Sequence, residues 1–382
     1  MARRAQSNGF LSWSRRSRGL LAVAALLFSG SLLAAQIEVT ELQDRLEHPW
    51  SLAFLPGDEG ILITERAGNL RRWRPDSGLS APIAGVPPVY ARSQGGLLDV
   101  ALAPDFARSR RVYLSFAEEG GDGKAGTAVG YGRLTEDAAR LENFTVFFRQ
   151  QPKLSSGNHF GGRLAFDRQG YLFIALGENN QRPTAQDLDK LQGKIVRLSA
   201  DGKIPPDNPL VNRPDARPEI WSYGHRNPQG MAVNPWSGAL WENEHGPRGG
   251  DEINIPQAGK NYGWPLATYG VNYSGLKIPE AKGERAPGMA DPIFYWQKSP
   301  AVSGMAFYNS DRFPQWKNAL FIGALAERNL IRLTLDGDNI VAQERLLNER
   351  NERIRDVRVG PDGYLYVLTD HDNGKLLKVG LE

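Results

Sequence analysis

Five short clusters of polar residues carry the side chains of this sequence that could do chemistry. They occupy residues 94–96, 158–164, 224–230, 244–254 and 353–356. Their imidazole, guanidinium, carboxylate and amide groups are suited to proton transfer, anion binding and metal ligation. Taken singly, each cluster also has an ordinary structural interpretation, such as a turn histidine at His159 or solvated charges at Arg353 and Arg355.

Several common kinds of catalytic site are not supported. The five histidines show neither H-E-x-x-H nor H-x-H spacing, which argues against a histidine-rich zinc or iron centre. No G-x-S-x-G string is present, and the absence of cysteine excludes disulfides, thiolate metal sites and covalent haem attachment. Residues 121–126 match G-x-G-x-x-G, but a β-branched, Gly-rich segment follows, so we interpret them as a hairpin loop rather than a dinucleotide site.

A repeated phrase predicts the elements that position these clusters. The phrase consists of a small or apolar pair, then an Asp, Asn or Pro, and then a strand with alternating apolar residues. It recurs six times, and the copies start at Ser51, Leu98, Arg163, Gly230, Gly304 and Asp356. Further strands follow in places, which is typical of propeller blades. We therefore predict an all-β, six-bladed β-propeller with four-stranded antiparallel blades, over an ordinary two-sheet β-protein. Long loops are expected at 201–219 and 262–291.

Such a fold would bring the polar clusters together. Four of the five immediately precede the opening phrase of a blade, and the other follows a blade strand. Equivalent loops of successive blades meet at one mouth of the central channel, so residues distant in sequence can share a pocket.

Three strings carry a resemblance to a known family. They are Gly224-His225-Arg226-Asn227-Pro228-Gln229-Gly230, the stretch from Gly246-Pro247 through Asp251-Glu252-Ile253-Asn254 to Asn261-Tyr262-Gly263-Trp264, and Arg353-x-Arg355-Asp356. Over nearly all of residues 36–382 the chain resembles the soluble glucose and aldose sugar dehydrogenases that depend on pyrroloquinoline quinone (PQQ). The resemblance implies an oxidoreductase that oxidises aldoses at C1 to lactones, with PQQ and Ca²⁺ bound.

The resemblance also implies roles for individual residues. The guanidinium groups of Arg226, Arg353 and Arg355 would bind the carboxylates of PQQ, and Asn227 would hydrogen-bond the cofactor. The backbone carbonyls of Gly246 and Pro247 would ligate the cofactor calcium. A further calcium would be held by the Glu252 carboxylate and the Tyr262 backbone.

His159 is the candidate general base, because an imidazole with a pKa near neutrality can take the C1 hydroxyl proton while hydride leaves for the quinone. Gln94 and Asn158 are assigned to substrate binding. Related enzymes often have Asp where Asn158 stands, so Asn158 would lower the basicity of the histidine unless a different polar neighbour compensates. Many relatives also carry a lysine at the position of Ala326, for which Arg328 could substitute.

The N-terminus predicts export. Five arginines before residue 19, an apolar run over 20–28 and small residues up to Ala35 follow the order of a signal peptide, predicted at 1–35. The mature chain, 36–382, would form a single domain, periplasmic or secreted. Its formal charge falls from +3 to about −2 once those arginines are removed, which does not suggest nucleic-acid binding. The apolar run is too short for a stable membrane anchor.

Two other functions remain open at this stage. One is a metal-dependent propeller lactonase, and the other is a non-enzymatic extracellular propeller that binds sugars or proteins. The expected partners of the dehydrogenase are an aldose substrate and an external electron acceptor, with the protein a monomer or a dimer.

Overall fold

The structure is a computed structural model that describes residues 36–382, where six four-stranded antiparallel sheets form a β-propeller. The prediction of an all-β, six-bladed propeller is confirmed. The predicted signal peptide, 1–35, lies outside the described residues.

The blades follow one another along the chain, with the first strand of each blade innermost. Strand β1 (Ile37–Leu46) precedes blade 1. Blade 1 contains β2 (Pro49–Leu55), β3 (Gly60–Glu65), β4 (Asn69–Arg74) and β5 (Gly78–Leu79). Blade 2 contains β6 (Leu97–Leu102), β7 (Arg111–Glu119), β8 (Ala125–Leu134) and β9 (Leu141–Arg149). Blade 3 contains β10 (Gly161–Phe166), β11 (Tyr171–Leu176), β12 (Lys194–Ser199) and β13 (Ile220–Tyr223).

The other three blades repeat this order. Blade 4 contains β14 (Pro228–Val233), β15 (Leu240–Glu244), β16 (Asp251–Asn254) and β17 (Phe294–Trp296). Blade 5 contains β18 (Val302–Tyr308), β19 (Ala319–Ala324), β20 (Asn329–Asp336) and β21 (Asn339–Leu346). Blade 6 contains β22 (Ile354–Val359), β23 (Leu365–Thr369) and β24 (Gly374–Leu381). All six repeated phrases therefore lie wholly or mostly in innermost strands.

The ring closes because the N-terminal strand completes the last blade. β1 pairs antiparallel with β24, from Ile37 opposite Leu381 to Leu46 opposite Gly374. The innermost strands of successive blades contact one another, and β22 returns to contact β2. Closure of this kind ties the two ends of the described chain together and leaves no open end in the ring.

Strands near the channel are more buried than the outer strands, and this difference explains where apolar and polar residues occur in the sequence. The second strands are almost wholly apolar and buried, as in β11 and β19, because other blades pack on both of their faces. The outer strand β21 is largely exposed and polar. The apolar core lies between neighbouring sheets rather than inside one sheet, as where Leu62 and Leu70 of blade 1 pack with Val112 of blade 2.

Among residues 36–382, helices are few and short. They are α1 (Phe106–Ser109) and three 3₁₀ turns at Arg182–Ala185, Pro314–Trp316 and Asn348–Arg350. Residues 120–124 form the turn of the β7–β8 hairpin, and Ala125 and Gly126 begin β8, in agreement with the hairpin interpretation. Within residues 36–382, no helix is both long and apolar enough to cross a membrane.

A buried ion cluster joins the innermost strands. The Arg163 guanidinium lies 3.1 Å from a carboxylate oxygen of Asp99 and 3.3 Å from one of Asp356, and all three side chains are almost fully buried. Arg163 also lies over the Trp50 ring, 4.3 Å from its centroid. Because buried charges are tolerated only when paired, this cluster fixes the relative positions of three blades.

Candidate active site

A cavity of about 190 Å³ lies where all six blades meet. Each blade contributes at least one lining side chain, as in Trp50, Gln94, Phe160, Asn227, Leu325 and Arg355. The loops and strand ends of different blades thus converge on one pocket.

Four of the predicted site residues line this cavity: Gln94, Asn227, Arg353 and Arg355. The Arg355 guanidinium donates to the side-chain oxygen of Gln229 at 3.2 Å, and the Gln229 amide donates to Asn227 at the same distance. Blades 4 and 6 are therefore connected across the pocket by side-chain hydrogen bonds.

Asp370 is a site residue that the motifs did not reveal. Its carboxylate accepts from Arg353 at 2.8 Å and from Arg355 at 3.1 Å, and His48 lies 3.0 Å from its other oxygen. Burial alone would raise the pKa of Asp370, but the charges and hydrogen bonds of these neighbours hold it well below its usual range. A permanently ionised Asp370 orients two arginines while neutralising only one of them.

His159 lies beside the cavity, in the loop that enters β10. Its backbone N–H donates to the side-chain oxygen of Gln94 at 2.9 Å, and its φ of 53° places it in the left-handed region. Phe160 and Gly161, the next two residues, line the cavity. The side chain of His159 is only 10% exposed.

Glu178 is the polar partner that the histidine needs. It follows β11, is fully buried, and places a carboxylate oxygen 2.9 Å from His159 Nδ1. An ionised carboxylate can only accept, so Nδ1 carries the proton and Nε2 keeps its lone pair. Burial and the positive charge of Arg226 lower the pKa of His159, whereas Glu178 raises it. The outcome is a neutral imidazole at physiological pH, as a general base requires.

Replacement of Glu178 by glutamine is expected to weaken this base. The amide oxygen can still accept from Nδ1, but the negative charge that raises the pKa of His159 is lost. The acid limb of the pH–activity profile should therefore move to lower pH, while the plateau of kcat falls about 10-fold or more. A full pH profile measures both effects, and an unchanged limb and plateau would rule out coupling of Glu178 to His159.

Asn158, the neighbour considered from the sequence, does not orient the imidazole. Its side-chain oxygen accepts a hydrogen bond from the Ser93 hydroxyl at 2.9 Å. Asn158 does not line the central cavity, and it does not line a second cavity of about 10 Å³ that adjoins it. Ala326 is exposed, and Arg328 lines a neighbouring groove together with Arg353 and Asp370 rather than the central cavity. Arg328 therefore does not line the central cavity, and the assignment of Asn158 to substrate binding stays a prediction.

Arg226 lines the smaller cavity, of about 10 Å³, which shares His245 with the central one. Its guanidinium donates to the carbonyls of Gly246 at 2.7 Å and His245 at 3.1 Å, and lies 5.3 Å from the Trp264 ring centroid. Its Nε is buried without a partner in the described chain. Arg226 therefore retains an unused donor beside the pocket.

The smaller cavity brings together three of the four predicted calcium ligands: Gly246, Glu252 and Tyr262. The loop after β15 is held by Asp251, which accepts from the backbone N–H groups of Gly246 at 3.0 Å and Val302 at 3.1 Å. Pro247 is not among the lining residues. A cavity of this size accommodates one water-sized particle.

Buried acids surround Glu252. Its strand partner Glu244 lies directly opposite, and Glu242 lies two residues earlier on the same strand. His225 Nδ1 is 3.1 Å from Glu244 and 3.5 Å from Glu242, and its ring stacks on Tyr262. Burial and the charges of Glu244 and Glu242 raise the pKa of Glu252 well above its ordinary value. This face of blade 4 is strongly attractive to a cation, because three carboxyl groups lie close together there with a single imidazole beside them.

The model of the glucose/sorbosone dehydrogenase family matches residues 46–378 of this chain. The chain belongs to this family. The match includes every residue of the two cavities, and membership confirms that the protein is an enzyme.

Three members of the glucose/sorbosone dehydrogenase family are especially informative. Aldose sugar dehydrogenase YliI of Escherichia coli (strain K12) is 67% identical, over 94% of this chain and 97% of its own. A crystal structure of a glucose dehydrogenase is 74% identical with a TM-score of 0.90, over 90% of this chain and all of that chain. The PQQ-bound aldose sugar dehydrogenase of Streptomyces coelicolor is 29% identical with a TM-score of 0.73, over 91% and 99% of the two chains.

Proposed function

We propose that this protein is a quinoprotein that oxidises aldose sugars at C1 to lactones. The observation that carries this proposal is the pairing of a guanidinium-rich cavity with a buried His–Glu dyad at its edge. The similarity to an aldose sugar dehydrogenase and to a PQQ-bound structure supports the same chemistry.

The charge of the central cavity fits PQQ, a planar tricarboxylate. Arg353 and Arg355 face the cavity but share a single carboxylate, and Arg226 has an unused buried donor nearby. Asn227 lies in the same lining and can hydrogen-bond a bound cofactor. Guanidinium groups bind carboxylates through paired N–H donors, so these residues would hold the cofactor carboxylates.

The smaller cavity fits Ca²⁺, which prefers carboxylate and carbonyl oxygens. As the resemblance implies, the Gly246 and Pro247 carbonyls would ligate the cofactor calcium, and the Glu252 carboxylate and the Tyr262 backbone would hold a further calcium. A buried side-chain oxygen of Glu242 lies beside them and accepts no hydrogen bond from the described residues. The Gly246 carbonyl already accepts from Arg226, but a carbonyl has a second lone pair for a cation.

The proton transfer step falls to His159. Its Nε2 lone pair would take the C1 hydroxyl proton, and Glu178 would stabilise the imidazolium that forms. When bound, the quinone would accept the hydride from C1. Gln94, which already holds the His159 backbone, would position the sugar, and Asn158 lies at the neighbouring turn.

The remaining expectations belong to this proposal. We infer that residues 1–35 are removed on export, that 36–382 act as one domain in the periplasm or outside the cell, and that an external acceptor reoxidises the enzyme. The active form is a monomer or a dimer.

Reconstitution tests the proposal. Purified apoprotein is incubated with PQQ and Ca²⁺, and dye reduction is followed with glucose and other aldoses, with lactone hydrolysis assayed in parallel. We expect dye reduction that requires an aldose, PQQ and Ca²⁺ together. Lactone hydrolysis without any sugar-dependent reduction would instead indicate a lactonase, and neither activity would favour a binding protein.

Calcium is also expected to stabilise the fold through Glu252. A ligand present at 100 times its dissociation constant raises the free energy of unfolding by about 2.7 kcal/mol. The melting temperature of the wild type should therefore rise on addition of Ca²⁺ and fall with a chelator. Glu252→Gln should lose this response, whereas Glu349→Gln, at an exposed carboxylate of the 3₁₀ turn after β21, should keep it. Equal responses in both variants would exclude Glu252 as a ligand.

A further inference from the structure

A further arginine lines the central cavity. Arg66 follows β3 directly, in the turn to β4, and contributes to the same lining as Arg353 and Arg355. Its backbone N–H donates to the His48 carbonyl, and its own carbonyl accepts from the Leu97 N–H, both at 3.1 Å. Two backbone hydrogen bonds to other loops therefore fix the position of this residue.

The loop that carries Gln94 packs directly against Arg66. Gly96 has a φ of 139°, and a Cβ atom there would lie 2.0 Å from the Arg66 carbonyl oxygen and 2.7 Å from its side chain. Only glycine permits this close approach. The packing places the side chain of Arg66 beside Gln94 at the cavity wall.

The guanidinium of Arg66 has no ion-pair partner among residues 36–382. Its neighbour Glu65 instead accepts from Arg71 at 3.5 Å and from Asn69 at 3.1 Å. Asp370 is already shared by Arg353 and Arg355. Arg66 is only partly exposed, so its charge is neither buried in a pair nor freely solvated.

The cavity thus carries an uncompensated positive charge. Three guanidinium groups against the one carboxylate of Asp370 leave a net charge of +2 in the lining. Burial and the positive charges of Arg353 and Arg66 lower the pKa of Arg355, as expected for like charges held close together. Such a surplus favours an anionic ligand.

We propose that Arg66 binds a carboxylate of PQQ, as a fourth arginine beside Arg226, Arg353 and Arg355. This inference rests on the proposed function. A guanidinium that has no ion-pair partner among the described residues, on a backbone held by two hydrogen bonds, can offer paired N–H donors to a carboxylate without breaking an existing ion pair. Arg66, rather than Arg328, is then the additional cation of the cofactor pocket.

The test is a titration of the apoprotein with PQQ at fixed Ca²⁺, followed by absorbance, for wild type, Arg66→Gln, Arg66→Lys and Arg92→Gln. Arg92 is an exposed arginine of the neighbouring loop that lies against Tyr90. Arg66→Gln should raise the dissociation constant about 10- to 100-fold, Arg66→Lys less, and Arg92→Gln not at all. The PQQ trimethyl ester, which lacks the carboxylate charges, should bind wild type and Arg66→Gln equally.

The outcomes separate the two proposals. Wild type that fails to bind PQQ contradicts the proposed function itself. The role of Arg66 alone is overturned if wild type binds PQQ and the dissociation constant of Arg66→Gln lies within twofold of the wild-type value. It is also overturned if Arg66→Gln loses as much affinity for the trimethyl ester as for PQQ. Melting temperatures of the variants are measured alongside, and they should match wild type because Arg66 forms no ion pair with the described residues.

Discussion

Replacement of His159 by glutamine should lower kcat for aldose oxidation by ~10²–10⁴-fold, the usual contribution of a general base. Glutamine has no basic lone pair near neutral pH, so the C1 hydroxyl proton has no acceptor. The amide is close in size to imidazole and leaves the cavity arginines untouched. PQQ binding should therefore remain near that of wild type, and the loss should appear in kcat measured with the fully loaded enzyme.

The matched control is His371→Gln, at an exposed histidine that follows blade strand β23. It should have wild-type kcat. If His159→Gln turns over as fast as His371→Gln, the proton is taken by another group and the dyad with Glu178 has no catalytic role.

Replacement of Arg226 by alanine should weaken PQQ binding ~10²-fold or more, since loss of one partner from a buried charge pair costs several kcal/mol. The change removes the free Nε donor and also the contacts to the Gly246 and His245 carbonyls. Equilibrium titration of the apoprotein with PQQ measures the dissociation constant. Calcium affinity should fall as well, because the loop that carries Gly246 loses a support.

Arg248→Ala is the control, since Arg248 is an exposed arginine two residues after Gly246. It should bind PQQ like wild type. Arg226→Lys restores the charge without the paired donors and should recover part of the affinity. Wild-type affinity in Arg226→Ala, with an unchanged melting temperature, would remove Arg226 from the cofactor site.

The fold could be predicted because each blade repeats the same local pattern. An innermost strand must present small or polar residues to the channel and apolar residues to the next blade. The six phrases from Ser51 to Asp356 recur in the sequence because each innermost strand meets this same requirement. The long segments at 201–219 and 262–291 were also predicted, since each interrupts a blade. The pairing of β1 with β24 was not predicted, because it joins strands more than 300 residues apart that carry no matching signal.

The site was predictable only where residues fall in distinctive strings. The strings singled out Arg226, Asn227, Arg353 and Arg355, which the structure places at the two cavities, while their role in cofactor binding stays a prediction. Glu178, Asp370 and Arg66 were missed because each acts through a contact distant in sequence. Glu178 follows an ordinary blade strand, β11, and reaches His159 only because the loop before β10 and the loop after β11 lie side by side.

We propose that the arginine-lined cavity beside His159 binds PQQ and that a bound aldose reduces it. Anaerobic titration of the apoprotein with PQQ and Ca²⁺, followed by one addition of glucose or another aldose, tests this most directly in the absorbance spectrum. We expect saturation at one PQQ per chain and complete reduction of the bound cofactor on addition of sugar. Absence of saturable binding, or a bound cofactor whose spectrum no aldose changes, would contradict it.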